Sequence, residues 1–248
     1  VFDRCHITMA SNVLVMRREV AMNSASLLIG KRIDALDGEI GSVYDLYIDA
    51  EAWSLRYLVV DTGNWLSGRK VLVAPEAIVK PWHHQPSIAV KLTTEQVRSS
   101  PDTDTAMPIS RVAEELLHRH YQWPPYWDSA PVGIPPPPPA ALTAEVDRKE
   151  AGEIAESLVD VRLRSASELA GYHVKAGDGE VGTVDDLVLD DDLNRILFLV
   201  VEVKGWLNGK KVLAGPSMIS SVDWATSAVH VNVNLQALKG AQEYKPAA

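Results

Sequence analysis

Cysteine is nearly missing from this chain: Cys5 is the single one in 248 residues. A lone thiol forms no intramolecular disulfide and builds no multi-thiolate metal site, so a disulfide scaffold is excluded and a reducing, cytoplasmic setting is the simplest reading. Long apolar runs are missing too. None approaches the roughly 20 residues that cross a bilayer, and Val13 to Met16 is too short. The opening residues VFDRCHITMASNVLVMRREVAM lack the basic-then-apolar layout of a secretion signal. Positive charge is in short supply, with 24 Lys and Arg against 33 Asp and Glu and a net charge of −9. Phosphate neutralisation needs clustered cations, so direct nucleic-acid binding and an anionic-membrane role are disfavoured. No phosphate loop followed by a helix, no nucleophile elbow and no His-Glu-x-x-His pattern occurs, and Gly177-Asp178-Gly179 reads as a hairpin turn.

What is present is an internal repeat. Residues 30–75 read GKRIDALDGEIGSVYDLYIDAEAWSLRYLVVDTGNWLSGRKVLVAP, and residues 171–216 read GYHVKAGDGEVGTVDDLVLDDDLNRILFLVVEVKGWLNGKKVLAGP. The offset is constant at 141, pairing Gly30 with Gly171, Asp37 with Asp178, Trp65 with Trp206, Lys70 with Lys211 and Pro75 with Pro216. Weaker likeness continues to Val90 and Val231, so a unit of about 75 to 80 residues, the size of a small domain, is duplicated.

Each copy is punctuated for short strands. Ser26 is placed to cap a short turn that Gly30 ends. Asp37-Gly38 and Asp178-Gly179 predict tight hairpins with positive φ at both central residues. Gly41 and Gly182 mark a bulge or tight bend. Leu55 to Asp61 and Ile196 to Val201 are central strands, apolar on both faces, whose outer face needs a cover: the other repeat, a strap from the linker, or an external partner. Trp65 and Trp206 sit in matching loops, where an indole either plugs a barrel end or anchors a partner. Short strands separated by Gly, Pro and Asp turns make the fold all-β, two small barrels related by duplication.

Between the copies, residues 109–121 (ISRVAEELLHRHY) predict a helix capped by Ser110, with Val112, Leu116 and Leu117 as its apolar stripe and His118, Arg119 and His120 at its carboxyl end. Gln122 to Asp128 (QWPPYWD) follows as an aromatic strap, and Pro135 to Pro139 as a stiff polyproline spacer of roughly 15 Å. Glu145 to Leu158 suggests a short helix. The expected division is a flexible leader at 1–23, a barrel at 24–100, helix, strap and Pro-rich linker at 101–162, a second barrel at 163–240 and a frayed tail at 241–248.

Groups that could carry chemistry are few. His83 and His84, or His118 and His120, could be offered to a metal, but no third ligand is near and the helical pair diverges. The acidic run Asp185, Asp186, Asp190, Asp191, Asp192 lacks the glycine and closing glutamate of a calcium loop and reads as a solvated turn, with a cation site as the sharper alternative. Asp45 and Asp186, like Lys70 and Lys211, are either partners within each barrel or exposed binding groups.

The two copies closely resemble the PRC-barrel family, named for the cytoplasmic domain of the photosynthetic reaction centre H subunit. The residues that carry the likeness are the D-G-E-x-G turn, the D-L-x-x-D strand end, the RYLVVD-like central strand, W-L-x-G-[RK]-K-V-L and the closing proline. The second copy departs at Leu197 for Arg56 and Glu202 for Asp61. The resemblance implies a binding module without catalytic residues, cofactor or metal: a scaffold acting by protein association, as a hetero-complex or a homo-oligomer. Two alternatives come with it, an accessory of a membrane electron-transfer complex and an adaptor in ribosome or RNA processing. A hydrolase or metal protein is the reading from another class. The contact residues expected are the aromatic anchors Trp65, Trp206, Trp123, Tyr126 and Trp127.

Overall fold

The computed structural model describes residues 23–82, 85–101, 109, 111–128, 163–205 and 209–245. The leader before residue 23, His83 and His84, Ser110, the proline run, the segment from Glu145 to Leu158 and Trp206 lie outside the described residues.

The first repeat contributes β1 (Asn23–Ser24), α1 (Ala25–Leu28), β2 (Arg32–Ala35), β3 (Gly38–Asp49), β4 (Ser54–Asp61), β5 (Lys70–Val73), β6 (Ser87–Ala89) and α2 (Thr94–Arg98). After α3 (Arg111–Tyr121), the second contributes β7 (Leu163–Ser165), α4 (Ala166–Leu169), β8 (His173–Ala176), β9 (Gly179–Leu189), β10 (Ile196–Val203), β11 (Lys211–Ala214), β12 (Ile219–Asp223), β13 (Ala228–Val231) and α5 (Leu235–Lys239). The architecture is all-β, with one sheet per repeat: β5-β4-β3-β2-β6, and β11-β10-β9-β8-β13-β12.

The lead-in strands are exchanged. β1 pairs with β9, Ser24 opposite Val188, while β7 pairs with β3, Ser165 opposite Tyr47. Each repeat therefore adds a short strand to the far end of a long interior strand of the other, beyond the stretch that β8 pairs on β9 and β2 pairs on β3. The exchange is two-fold symmetric: Ser54 bridges Arg195, the residue 141 positions on, with Leu55 N–H donating to the Asn194 carbonyl at 3.1 Å and Ile196 N–H to that of Trp53 at 2.8 Å. Most buried apolar residues of both sheets form one continuous core, in which Leu28, Leu46, Ile48, Leu169, Val184 and Leu189 are almost fully buried, and Val188, Val200, Leu213 and Tyr244 form a separate small cluster.

Three local expectations are corrected. The hairpin loops are Leu36-Asp37 and Gly177-Asp178, with Gly38 and Gly179 already paired as first strand residues, and neither aspartate takes a positive φ. The aspartates serve as acceptors: Asp37 takes Thr94 N–H at 2.7 Å, and Asp178 takes Leu235 N–H at 2.8 Å, at the starts of α2 and α5. Ser26 does not cap α1; Ser24 holds that position, and the Ser26 hydroxyl reaches across to Asp186 at 2.5 Å. The tail is not frayed through Lys245. Leu213 N–H bonds the Gln242 carbonyl, Tyr244 N–H bonds that of Lys211, and the Tyr244 ring joins Val188, Val200 and Leu213. Gly41 and Gly182 are demanded by close approach: a Cβ there would lie 2.0 Å from the Asp61 carbonyl oxygen and 1.8 Å from that of Glu202.

Candidate functional site

The outer face of β4 is covered by α3 and the aromatic segment after it. Tyr57, at the centre of β4, is fully buried, and its hydroxyl lies 2.9 Å from Glu114 Oε1 and 2.8 Å from His118 Nε2. Glu114 is itself completely buried. Arg111 pairs with its Oε2 at 3.0 Å, and the Tyr126 hydroxyl donates to Oε1 at 2.7 Å. His118 Nδ1 faces the Pro124 carbonyl at 3.1 Å, which selects the tautomer with the proton on Nδ1 and leaves Nε2 as an acceptor that competes with Glu114 Oε1 for the single Tyr57 hydroxyl proton. Burial holds the His118 pKa below the ordinary imidazole value, and burial beside the Glu114 carboxylate pushes the Tyr57 and Tyr126 phenols well up.

This polar centre turns the helix. Glu114 faces the barrel with Leu117, His118 and Tyr121, whereas Val112 and Leu116, expected on the inner stripe with Leu117, stand outward at 44% and 47% exposure. A buried carboxylate needs every donor within reach, and that need overrides the apolar periodicity.

The aromatic anchors are mostly part-buried. Trp123 stacks on Tyr121 with ring centres 4.4 Å apart, and Trp127 lies 4.7 Å from the His118 ring. Arg56 holds the Tyr126 ring from below at 3.7 Å, and Arg111 faces Trp127 at 4.4 Å. Trp65 donates its indole N–H to the Ile40 carbonyl at 2.9 Å, with Arg98 over its ring. The structure therefore gathers Trp123, Tyr126 and Trp127 on one face and leaves Trp65 at another end of the first sheet.

The shared aspartates hold the repeats together. Asp45 accepts from Ser165 Oγ at 2.6 Å and from Ser167 N–H and Oγ at 3.2 and 2.8 Å, and Asp186 accepts from Ser26 N–H at 3.1 Å. Neither sequence reading of these groups, within-barrel partner or exposed binding group, describes them. The shared lysines do work within their own units, on different partners: Lys70 lies 3.4 Å over the Tyr44 ring, and Lys211 pairs with Asp185 at 2.8 Å. The acidic run is bound to protein donors. Asp190 accepts from Asn194 and Arg195 N–H, Asp191 from Asn23, and Asp192 pairs with Lys80 at 2.5 Å. Among the described residues no three His, Cys, Asp or Glu side chains converge as a metal site.

A PRC-barrel domain is matched at residues 22–85 and again at 162–234, together more than half of the chain. The chain belongs to the PRC-barrel family. Each matched segment of this tandem PRC-barrel protein opens on an exchanged lead-in strand, so the family units are not the pairing units. No curated protein matches the chain. No described helix is long and apolar enough to cross a membrane.

Glu114 and Tyr57 were not singled out by sequence reasoning. The signal available is the difference between copies: Arg56 and Tyr57 in the first PRC unit stand where the second has Leu197 and Phe198. Phe198 carries no hydroxyl and packs against the cluster that includes Tyr244.

Proposed function

We propose that this PRC-barrel protein is a non-catalytic scaffold that works by protein association, and that α3 with its aromatic strap is the surface it presents. The observation that carries this reading is the outward pair Val112 and Leu116. They lie one helical turn apart on a helix whose opposite face is anchored by a buried carboxylate. A helix that exposes branched apolar side chains while its buried face holds a charge spends its hydrophobic surface outward, as an association surface does. Trp123, Tyr126 and Trp127 extend the surface as rigid anchors, and Trp65 and Trp206 are proposed as separate contact points.

The test is crosslinking of tagged protein in its own cells, followed by mass spectrometry and light scattering. A defined heterologous partner, lost on Val112→Glu with Leu116→Glu and weakened on changing Trp123, Tyr126 and Trp127 to Ala, supports the scaffold. A protein that recovers only itself, or a partner indifferent to these changes, sinks it.

A further inference from the structure

The two-fold relation makes two equivalent junctions between a β-turn of one repeat and the far edge of the other, and they differ. At the first, the turn at 190–194 meets the segment 78–82. Trp82 is 4% exposed and donates its indole N–H to the Asp191 carbonyl at 3.1 Å, Lys80 pairs with Asp192, and Asn23 bonds both the Asp190 carbonyl and the Asp191 carboxylate. That junction is shut by the chain's own ammonium and indole.

At the second, the turn at 49–53 faces β12 and Trp224 across a cleft of about 620 Å³, lined by Ala50, Glu51, Trp53, Arg164, Val222 and Trp224 among others. The offset of 141 puts Glu51 in the place of Asp192, Ser221 in that of Lys80, and Arg164 in that of Asn23. Ser221 brings no ammonium, so Glu51 has no counter-charge, and only its backbone N–H is bonded. Ala50 replaces Asp191, so Arg164 has no carboxylate. Its buried Nε has no hydrogen-bond partner, and its guanidinium rests 4.8 Å over the Trp224 ring. Among the described residues, neither Glu51 nor Arg164 forms an ion pair, with the other or with anything else.

We propose that this cleft binds a free α-amino acid with an aromatic or large apolar side chain. A ligand with one charge would leave either Glu51 or Arg164 uncompensated. A zwitterion satisfies both, with its carboxylate on the Arg164 fork, its ammonium on Glu51 and its side chain between the Trp53 and Trp224 indoles. The site is separate from the α3 surface and does not depend on the scaffold reading.

The test is calorimetric titration of the full chain with L-phenylalanine, phenethylamine and 3-phenylpropionate. Saturable binding of phenylalanine is expected, with both single-charge analogues weaker by about tenfold or more. Glu51→Gln should erase the advantage over 3-phenylpropionate, and Arg164→Met the advantage over phenethylamine. Ser221→Lys, which gives Glu51 an internal ammonium as Lys80 does for Asp192, should weaken phenylalanine without touching Arg164. No heat of binding up to about 10 mM, well beyond the weak end of specific affinity, would overturn the proposal, as would analogues that bind as tightly as phenylalanine.

Discussion

Tyr57 and Phe198 hold the same place in the two PRC units, and the one hydroxyl by which they differ is what fastens α3 to the first. It stands 2.9 Å from the Glu114 carboxylate, which the structure leaves no exposure to water. Tyr57→Phe removes a donor to a buried charge, so a loss of about 2 kcal/mol is expected, read from urea denaturation. Phe198→Tyr should change little, because Phe198 is only half-buried against the cluster with Tyr244 and water can serve the new hydroxyl.

The aspartates at the exchange should not be equal. Asp45 is 8% exposed and gathers donors from both Ser165 and Ser167, whereas the bonds to Asp186 from Ser26 are exposed. Asp45→Ala is expected to cost about 2 to 3 kcal/mol and Asp186→Ala less than half of that, since solvent takes over exposed donors at little cost. Paired denaturation curves check the order. Equal losses would mean that the exchange is not held this way.

Acid should loosen the strap. The His118 pKa is lowered in the folded state, chiefly by burial, so the unfolded chain binds that proton first. The native state then carries fewer protons than the unfolded one, and stability falls as pH drops below the ordinary imidazole pKa, about 6.5. Glu76 and Arg111 act on the same imidazole with opposite signs, and Glu114, Tyr57, Tyr126 and Arg56 surround it. The measurement is the pH dependence of the melting temperature in wild type against His118→Gln: the wild-type curve should fall more steeply between about pH 6.5 and 5.

Gly41→Ala should be far worse than Gly63→Ala. Both glycines have positive φ, but only at Gly41 would the new Cβ strike backbone, the Asp61 carbonyl at 2.0 Å, while Gly63 faces open space. A cost of about 1 kcal/mol is expected at Gly63, and several times that at Gly41, where the β3–β4 pairing itself must shift.

The strands were legible because the chain states them twice: most Gly, Asp and Pro boundaries in 30–75 recur in 171–216, Asp61 and Gly63 being exceptions, and the observed elements fall between these marks. The exchange was not legible. β1 and β7 are too short to carry a periodic signature, and nearly identical lead-ins fit either copy, so only the folded geometry decides which long strand each one joins. The strap was readable from its aromatic content, but the facing of α3 was not. Val112, Leu116 and Leu117 suggest one stripe by spacing, and the buried Glu114 overrules them for electrostatic reasons that hydropathy does not record. The Glu51 and Arg164 cleft was invisible for a different reason: it exists only where residues from the two copies meet.

The crossed lead-ins also mean that the covalent connection is not what holds the two units together. Since β1 is lodged in the second sheet and β7 in the first, a single cut between residues 129 and 162 would divide the polypeptide without freeing either piece. Each piece would keep a strand gripped by the other. The grip resides in the exchanged strands and in the core that the two sheets share.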